Sequence, residues 1–227
     1  MKSLLVCAAL LTLPASALAA DPRNPTVVEL FQSQGCSSCP PALANVNALA
    51  DRADVLALTF AVTYWDQLGW KDTLASPAFT ARQWDYARAA GRGQVATPQT
   101  IVDGRTAING GNRTELERTV AAAHRSARPV LSHSGQTVTV GGAAATAPAT
   151  IWLVRYDPRT IQVAIRAGEN GGKTLAHRNV VRALVSLGTW RGAAVRVTVA
   201  PSPDPAWRTA ILVQQTNGGP ILAAGRL

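Results

Sequence analysis

The pattern of apolar and polar positions in the first half of the chain alternates between strand-like runs and helical spacing. Thr26–Phe31 and Val55–Val62 are β-branched and aromatic runs typical of buried strands. Between them Leu43, Val46 and Leu49 recur at helical spacing. Because a helix joins the two runs, we expect a right-handed βαβ unit with parallel strands.

The alternation of strand-like and helical patterns continues to about residue 125. Pro77–Ala90 predicts a helix with a proline in its first turn. Val95–Val102 and Thr106–Ile108 predict two strands joined by an Asp-Gly turn, and Asn112 or Thr114 would cap a last helix. The predicted order of elements is therefore β, α, β, α, β, β, α.

From Pro129 onward the chain consists of short alternating runs separated by Gly, Pro and Asp clusters. The runs are Gln136–Val140, Thr150–Tyr156, Thr160–Arg166, Ala194–Val199 and Thr209–Gln214. This texture predicts a second, all-β domain, a small sandwich or an antiparallel sheet laid against the first domain. We expect an α/β domain over residues 21–127 and a β-rich domain over residues 128–227.

The first twenty residues have the layout of a cleavable secretory signal. Lys2 precedes an apolar stretch from Leu4 to Leu13, and small residues follow, so that cleavage is expected after Ala19 or Ala20. An uncleaved anchor is the alternative, but the run is shorter than the roughly 20 apolar residues of a spanning helix. We expect a periplasmic or secreted protein with no transmembrane segment after signal cleavage.

Composition narrows the classes of protein further. The 227 residues are 47% hydrophobic and 15% charged, enough for a core and unlike a disordered chain. The net charge of +9 favours acidic partners. Because no basic run is interleaved with aromatic residues, specific nucleic-acid binding is not expected.

Removal of the signal would take Cys7 away and leave one pair, Cys36 and Cys39, in an oxidising compartment. This Cys-Ser-Ser-Cys stretch lies between a predicted strand and a predicted helix. Backbone N–H groups and the positive end of the helix dipole would stabilise a Cys36 thiolate, and Cys39 would resolve the mixed disulfide. The arrangement predicts thiol-disulfide exchange on protein or peptide thiols, with a possible redox partner protein and no organic cofactor.

Two other interpretations of the pair stay open. It could be an inert disulfide in a non-enzymatic exported binding module, because closing a loop of about four residues stabilises a fold by roughly 2 kcal/mol. Two thiolates could instead handle Cu(I). A zinc site would need further ligands from His124, His133 or His177, and none of these has ligand spacing, so no metal site is predicted.

The residues around the pair resemble a known family. Val28–Pro41, read as VELFQSQGCSSCPP, is similar to the signature of the DUF1223 family, exported proteins with a thioredoxin-like domain. Further similar stretches are Tyr64-Trp65-Asp66, Leu68–Asp72, Thr97-Pro98-Gln99, Trp152–Asp157, Gly168-Glu169-Asn170 and Asn179–Arg182. The resemblance implies an α/β thioredoxin-like N-terminal domain, with Cys36 and Cys39 as its dithiol and Pro98, after Thr97, as a cis-proline that faces the dithiol and presents the substrate backbone.

Two further features could belong to the site, and another segment carries a separate motif. Glu29, inside the first strand, could relay a proton to the resolving thiol, or it could be a surface or arginine-paired carboxylate. Trp65 and Trp70 could line a substrate groove, although most aromatic residues are core. Ala167–Thr174 loosely fits a phosphate-binding loop, but its context favours a Gly-rich hairpin loop.

Overall fold

A computed structural model of the protein describes residues 23–123 and 129–227. The described residues form three short α-helices, α1 (Cys39–Asn47), α2 (Pro77–Ala89) and α3 (Arg113–Ala121). The strands before α3 are β1 (Thr26–Gln32), β2 (Val55–Ala61), β3 (Gln99–Val102) and β4 (Thr106–Ile108). Those after it are β5 (Leu131–Ser134), β6 (Thr137–Val140), β7 (Ala149–Asp157), β8 (Ile161–Ala164), β9 (Thr174–His177), β10 (Val180–Trp190), β11 (Val195–Thr198), β12 (Arg208–Gln215) and β13 (Ile221–Arg226).

One eight-stranded mixed sheet runs through both halves of the chain, in the order β13-β12-β7-β10-β2-β1-β3-β4. The predicted parallel pairing of β1 with β2 is present, and β3 lies antiparallel on the other side of β1. A three-stranded sheet, β11-β6-β5, and the β8-β9 hairpin complete the described strands.

The two halves meet where β10 pairs in parallel with β2. Val180 lies beside Thr59. The Thr59 N–H donates to the Asn179 carbonyl at 3.0 Å, and the Thr59 hydroxyl donates to the Arg178 carbonyl at 3.0 Å. The Asn179 amide donates to the Ala57 carbonyl at 2.9 Å. Strands from the second half therefore extend the sheet begun by the first.

This continuity contradicts the expected fold class. An α/β thioredoxin-like domain with a separate all-β domain is wrong, because the described chain is mostly β and its largest sheet is shared by the two halves. The physical reason is that the edge of β2 not paired with β1 has free backbone N–H and C=O groups. Strand β10 pairs with this edge, which joins the two halves in one sheet. The domain boundary expected after residue 127 falls within residues 124–128, outside the described residues.

The sequence pattern did not predict β10, the longest strand, because its alternation is interrupted. Its pairing with β7 shifts register between Val181 and Ala183 and again between Ser186 and Gly188. Gly188 has a φ of +132°, a backbone conformation that favours glycine. Each irregularity inverts the facing of the residues that follow, so the two-residue period is lost.

Alternation along β1 assigns its side chains to two different layers of the core. Val28 and Leu30 pack with the apolar residues of α1 and α3. Val27 and Phe31 pack on the opposite face, in the cluster that includes Phe79 of α2. A strand covered on both faces is mostly apolar, and the charged residue within β1, Glu29, has a buried partner in Arg82.

The starts of the helices follow their sequences. Pro77 begins α2, and the Ser76 hydroxyl accepts from the Ala78 N–H at 3.3 Å. The predicted cap at Asn112 is confirmed, since its side chain accepts from the Glu115 N–H at 3.0 Å. No helix in residues 23–123 or 129–227 combines the length and apolarity that a membrane crossing needs. The predicted signal, residues 1–20 with Cys7, lies outside the described residues.

Candidate functional site

The Cys-Ser-Ser-Cys stretch forms the turn between β1 and α1. Cys36 and Cys39 are joined by a disulfide, with their Cα atoms 5.4 Å apart. The Cys36 N–H donates to the Ser33 carbonyl at 3.1 Å, and the Cys39 N–H donates to the Cys36 carbonyl at 3.1 Å. Cys39 is the first residue of α1, so the pair sits at the positive end of a helix, as the sequence predicted.

The sulfurs are covered although the turn itself is exposed. Cys36 and Cys39 are 0% and 1% exposed, whereas Ser37 and Ser38 between them are exposed to solvent. The Ser38 hydroxyl lies 3.4 Å from the Cys36 Sγ atom. A substrate sulfur approaching this disulfide therefore meets the two serines first.

Thr97 and Pro98 lie beside the same turn. The peptide bond between them is cis, as the resemblance implied. The Ser38 hydroxyl donates to the Thr97 carbonyl at 3.5 Å, which connects the segment before β3 to the Cys-Ser-Ser-Cys turn. Pro98 is buried and Thr97 is half-buried.

The two predicted tryptophans flank the segment that leads into Cys36. A side-chain carbon at Gly35 would lie 3.6 Å from Trp65 Cβ, so Trp65 packs directly against the backbone next to Cys36. The Trp70 indole N–H donates to Gln34 Oε1 at 2.9 Å. The structure thus brings Thr97, Pro98, Trp65 and Trp70 to the segment from Gln34 to Cys39.

The buried carboxylate of Asp72 accepts a hydrogen bond from the backbone of the same segment. Asp72 accepts the Gln34 N–H at 2.8 Å and the Leu74 N–H at 2.8 Å. Burial raises the pKa of Asp72 to about 6, against the lowering effect of these two backbone hydrogen bonds and with a further rise from nearby Asp66. Asp72 therefore titrates close to neutral pH, two residues from Cys36 through Gln34.

A loop from the second half of the chain closes over the turn. Glu169 Oε2 accepts the Ser37 N–H at 3.0 Å and the Ser37 hydroxyl at 2.6 Å. The buried Asn170 amide donates to the Gln34 carbonyl at 2.9 Å and to the Cys36 carbonyl at 2.8 Å. Hydrogen bonds from the Ser37 hydroxyl and N–H hold the pKa of Glu169 below its usual range. We call residues 167–173 the covering loop.

The covering loop is the Gly-rich stretch that loosely fitted a phosphate-binding pattern. It connects the antiparallel strands β8 and β9, which confirms the hairpin interpretation. Gly168 has a φ of +72°, and a side-chain carbon there would lie 3.2 Å from Trp70 Cβ. Glycine at this position lets the loop approach the tryptophan closely.

Glu29, the candidate proton relay, lies in a different environment. Its side chain is on the α2 face of the sheet, where Arg82 Nε donates to Glu29 Oε1 at 2.7 Å and the Tyr86 hydroxyl donates to Glu29 Oε2. All three residues are buried. Burial, which outweighs the lowering effect of Arg82, raises the pKa of Tyr86 well above its ordinary value. Because α1 packs on the opposite face, the structure does not bring Glu29 together with the disulfide.

The histidines do not extend the cysteine pair into a metal site. His177 is buried in β9, neither ring nitrogen has a hydrogen-bond partner among the described residues, and burial lowers its pKa to about 4. His133 lies in β5, and His124 lies outside the described residues. Over residues 23–123 and 129–227, no three His, Cys, Asp or Glu side chains cluster so as to hold a metal ion.

Sequence reasoning missed the roles of Gln34, Asp72, Glu169 and Asn170. Gln34 and Asp72 are separated by 38 positions and Ser37 and Glu169 by 132, so no local spacing relates them. The available signal was the Gly168-Glu169-Asn170 stretch, which stood out as a loop motif whose polar residues had no assigned partner.

Solved structures with a similar fold are available for comparison. The crystal structure of protein AGR_C_4864 from Agrobacterium tumefaciens is 29% identical, with a TM-score of 0.70 over 89% of this chain and 93% of that one. HBP35 of Porphyromonas gingivalis is 13% identical, with a TM-score of 0.57 over 90% of this chain and 75% of that one, a likeness in fold alone.

No protein of curated function matches the sequence. Residues 27–214 match the family described as a protein of unknown function, DUF1223. This span contains all of β1 except Thr26, the Cys-Ser-Ser-Cys turn, the Thr97-Pro98 segment and the covering loop. The chain therefore belongs to the DUF1223 family.

Proposed function

We propose that the protein carries out thiol-disulfide exchange on protein or peptide substrates through Cys36 and Cys39. The observation that carries the proposal is the position of the disulfide at the first turn of α1, beside the Thr97 carbonyl, to which the Ser38 hydroxyl donates at 3.5 Å. The N-terminus of a helix stabilises a thiolate. The carbonyl of a neighbouring backbone segment can accept a hydrogen bond from a substrate N–H.

The reaction needs no group other than two cysteines and the substrate disulfide. In the reduced protein the Cys36 thiolate attacks a substrate sulfur, a bond forms between these two sulfurs, and the other substrate sulfur leaves as a thiolate that takes a proton. The Cys39 thiolate then attacks Cys36 Sγ and releases the second substrate thiol. The products are the Cys36–Cys39 disulfide and a reduced substrate, and a dithiol partner protein would reduce the pair again.

The neighbouring residues have distinct proposed roles. Thr97 and Pro98 present the substrate backbone to Cys36. Trp65 and Trp70 offer apolar surface to the residues that flank the substrate cysteine. The Trp65 indole N–H is buried and has no hydrogen-bond partner among the described residues.

Burial of the sulfurs adds a requirement to this proposal. Because Cys36 is 0% exposed, its sulfur must be uncovered before an in-line approach is possible. The contacts nearest to the turn from another part of the chain are those of Glu169 and Asn170. We infer that the covering loop is displaced before exchange takes place. We also propose that the protein is periplasmic or secreted.

The test is the rate of insulin disulfide reduction by the mature protein with dithiothreitol as the reductant. We expect the wild-type protein to accelerate the reaction, the Cys36→Ser variant to lose all acceleration, and a Ser202→Ala variant of a distant serine to keep the wild-type rate. A wild-type rate equal to that of the Cys36→Ser variant, with insulin and with a peptide disulfide, would overturn the proposal.

The burial of both sulfurs favours a second candidate function, a binding module in which the disulfide is structural. In that case the double variant Cys36→Ser/Cys39→Ser would be less stable by about 2 kcal/mol, the value of a short closed loop. It would still bind the partner, and the disulfide of the folded wild-type protein would resist reduction. Retention of partner binding together with an absence of exchange would support this candidate over the first.

A further inference from the structure

The carboxylate of Glu169 lies on the peptide between the two cysteines. It receives both hydrogen-bond donors of Ser37, the N–H at 3.0 Å and the hydroxyl at 2.6 Å. Glu169 is exposed, and among the described residues no Lys, Arg or His is within ion-pair distance of it. Its negative charge is therefore directed at the start of α1 without a neutralising cation.

The carboxylate is held there by its neighbour in the chain. The buried Asn170 amide binds the Gln34 and Cys36 carbonyls, and Lys173 Nζ donates to Asn170 Oδ1 at 2.9 Å. These bonds fix the covering loop on both sides of Gly35. The two hydrogen bonds from Asn170 thus anchor Glu169 to the turn without involving its own side chain.

We propose that Glu169 is a positioning residue that shifts the Cys36–Cys39 pair toward its disulfide form and makes it a reducing couple. The disulfide is uncharged, so the carboxylate does not affect it. A reduced pair would hold its charge as a thiolate at the same helix start, where a second negative charge opposes it. This inference concerns the direction of the exchange under Proposed function and rests on the same site.

The charge of Glu169 acts in the opposite direction to the features that make a dithiol strongly oxidising. Such proteins are oxidants because a low cysteine pKa stabilises their reduced form. A carboxylate on the Ser37 N–H removes one of the donors that would stabilise a thiolate and adds a like charge. The reduced form is then disfavoured, and electrons pass from the pair to a substrate disulfide more readily than in the reverse direction.

Few other charges meet this turn. The helix α1 contributes no charged residue, since its sequence is CPPALANVN, and Thr97 and Pro98 are neutral. The nearest other charged groups act through neighbouring residues. Asp72 accepts a hydrogen bond from the Gln34 N–H, and Lys173 donates one to Asn170. Because Asp72 has a pKa of about 6, measurements above pH 7 keep its charge constant and isolate the effect of Glu169.

The experiment is a redox equilibrium with glutathione at a series of pH values above 7, together with titration of the Cys36 thiolate by its ultraviolet absorbance. The Glu169→Gln variant keeps an acceptor for the Ser37 N–H and removes the charge. The matched control is Glu117→Gln, which removes the same charge from an exposed position on α3.

We expect the equilibrium constant for reduction to rise about two- to fivefold in Glu169→Gln, the effect of one charge at an exposed helix terminus. The rise should be full above the pKa of Cys36 and should vanish below it, and that pKa should fall. An unchanged constant at pH values above the pKa of Cys36, a change that persists below that pKa, or a change of equal size in both variants would overturn the inference. The measurement needs no turnover, so a failure of insulin reduction would leave it interpretable.

Discussion

Two of the buried carboxylates, Glu29 and Asp72, lie in different regions of the molecule and have opposite kinds of hydrogen-bond partner. On the α2 face, Glu29 has a guanidinium partner in Arg82 and a hydroxyl partner in Tyr86. Near the cysteine turn, Asp72 has backbone N–H groups as its only partners among the described residues, from Gln34 and Leu74, and its pKa rises to about 6. The first arrangement suits a fixed structural element, and the second leaves a group whose charge changes near physiological pH.

The largest expected effect tests the fixed region. In Arg82→Ala, the buried Glu29 carboxylate loses its cation, and we expect a loss of about 3–5 kcal/mol in the free energy of unfolding. Urea denaturation monitored by tryptophan fluorescence measures it. The control is Arg113→Ala, which breaks an exposed pair with Glu117 and should cost at most about 0.5 kcal/mol. Similar small losses in both variants would remove the distinction between the two regions.

The next effect tests the titratable region through pH. The folded-state pKa of Asp72, about 6, is higher than its unfolded value of 3.8, so the folded protein binds this proton more tightly. The stabilisation is fully present below pH 3.8 and is lost as the pH rises through 6. At 1.36 kcal/mol per pKa unit the loss amounts to about 3 kcal/mol.

The measurement for Asp72 is the free energy of unfolding from pH 4 to pH 7 in the wild type and in Asp72→Asn. The difference between the two proteins should change across this range, because the variant lacks the titrating group. Asp54→Asn serves as the control, since an Arg52 partner lowers the pKa of Asp54 instead of raising it. A pH-independent difference between wild type and Asp72→Asn would show that Asp72 does not titrate in this pH range.

A smaller effect sharpens the comparison at the covering loop. Asn170→Ala leaves the Gln34 and Cys36 carbonyls without their amide donor, and we expect a loss of about 1–3 kcal/mol in stability. The same change should make the disulfide react faster with a phosphine reductant, because the loop that covers it is held less firmly. Reduction no faster than in wild type would argue that the loop does not limit access to the sulfurs.

Much of the local structure could be predicted from the sequence. The strands β1 and β2, the presence of a helix after the Cys-Ser-Ser-Cys stretch and the Asn112 cap depend on side chains close in sequence, and the pattern indicated each of them. The cis form of the Thr97–Pro98 bond followed from the resemblance. These features are decided by local conformational preference and by the period of the apolar positions.

The assembly of the halves could not be predicted in the same way. The pairing of β10 with β2 depends on hydrogen bonds between Thr59 and residues near position 179, and the bulges in β10 hide its period. The contact of Glu169 with Ser37 joins an exposed loop to a distant turn. The face of β1 that carries Glu29 followed from alternation, but which helix covers that face did not.

The most direct test of the proposed disulfide exchange is mixed-disulfide trapping with the Cys39→Ser variant. In this variant a bond between a substrate sulfur and Cys36 cannot be resolved. We predict that a peptide disulfide forms an adduct on Cys36, identified by mass spectrometry, faster in the folded protein than in the same variant unfolded in urea. Adduct formation confined to the unfolded variant would contradict the claim that the folded protein exchanges disulfides at this turn.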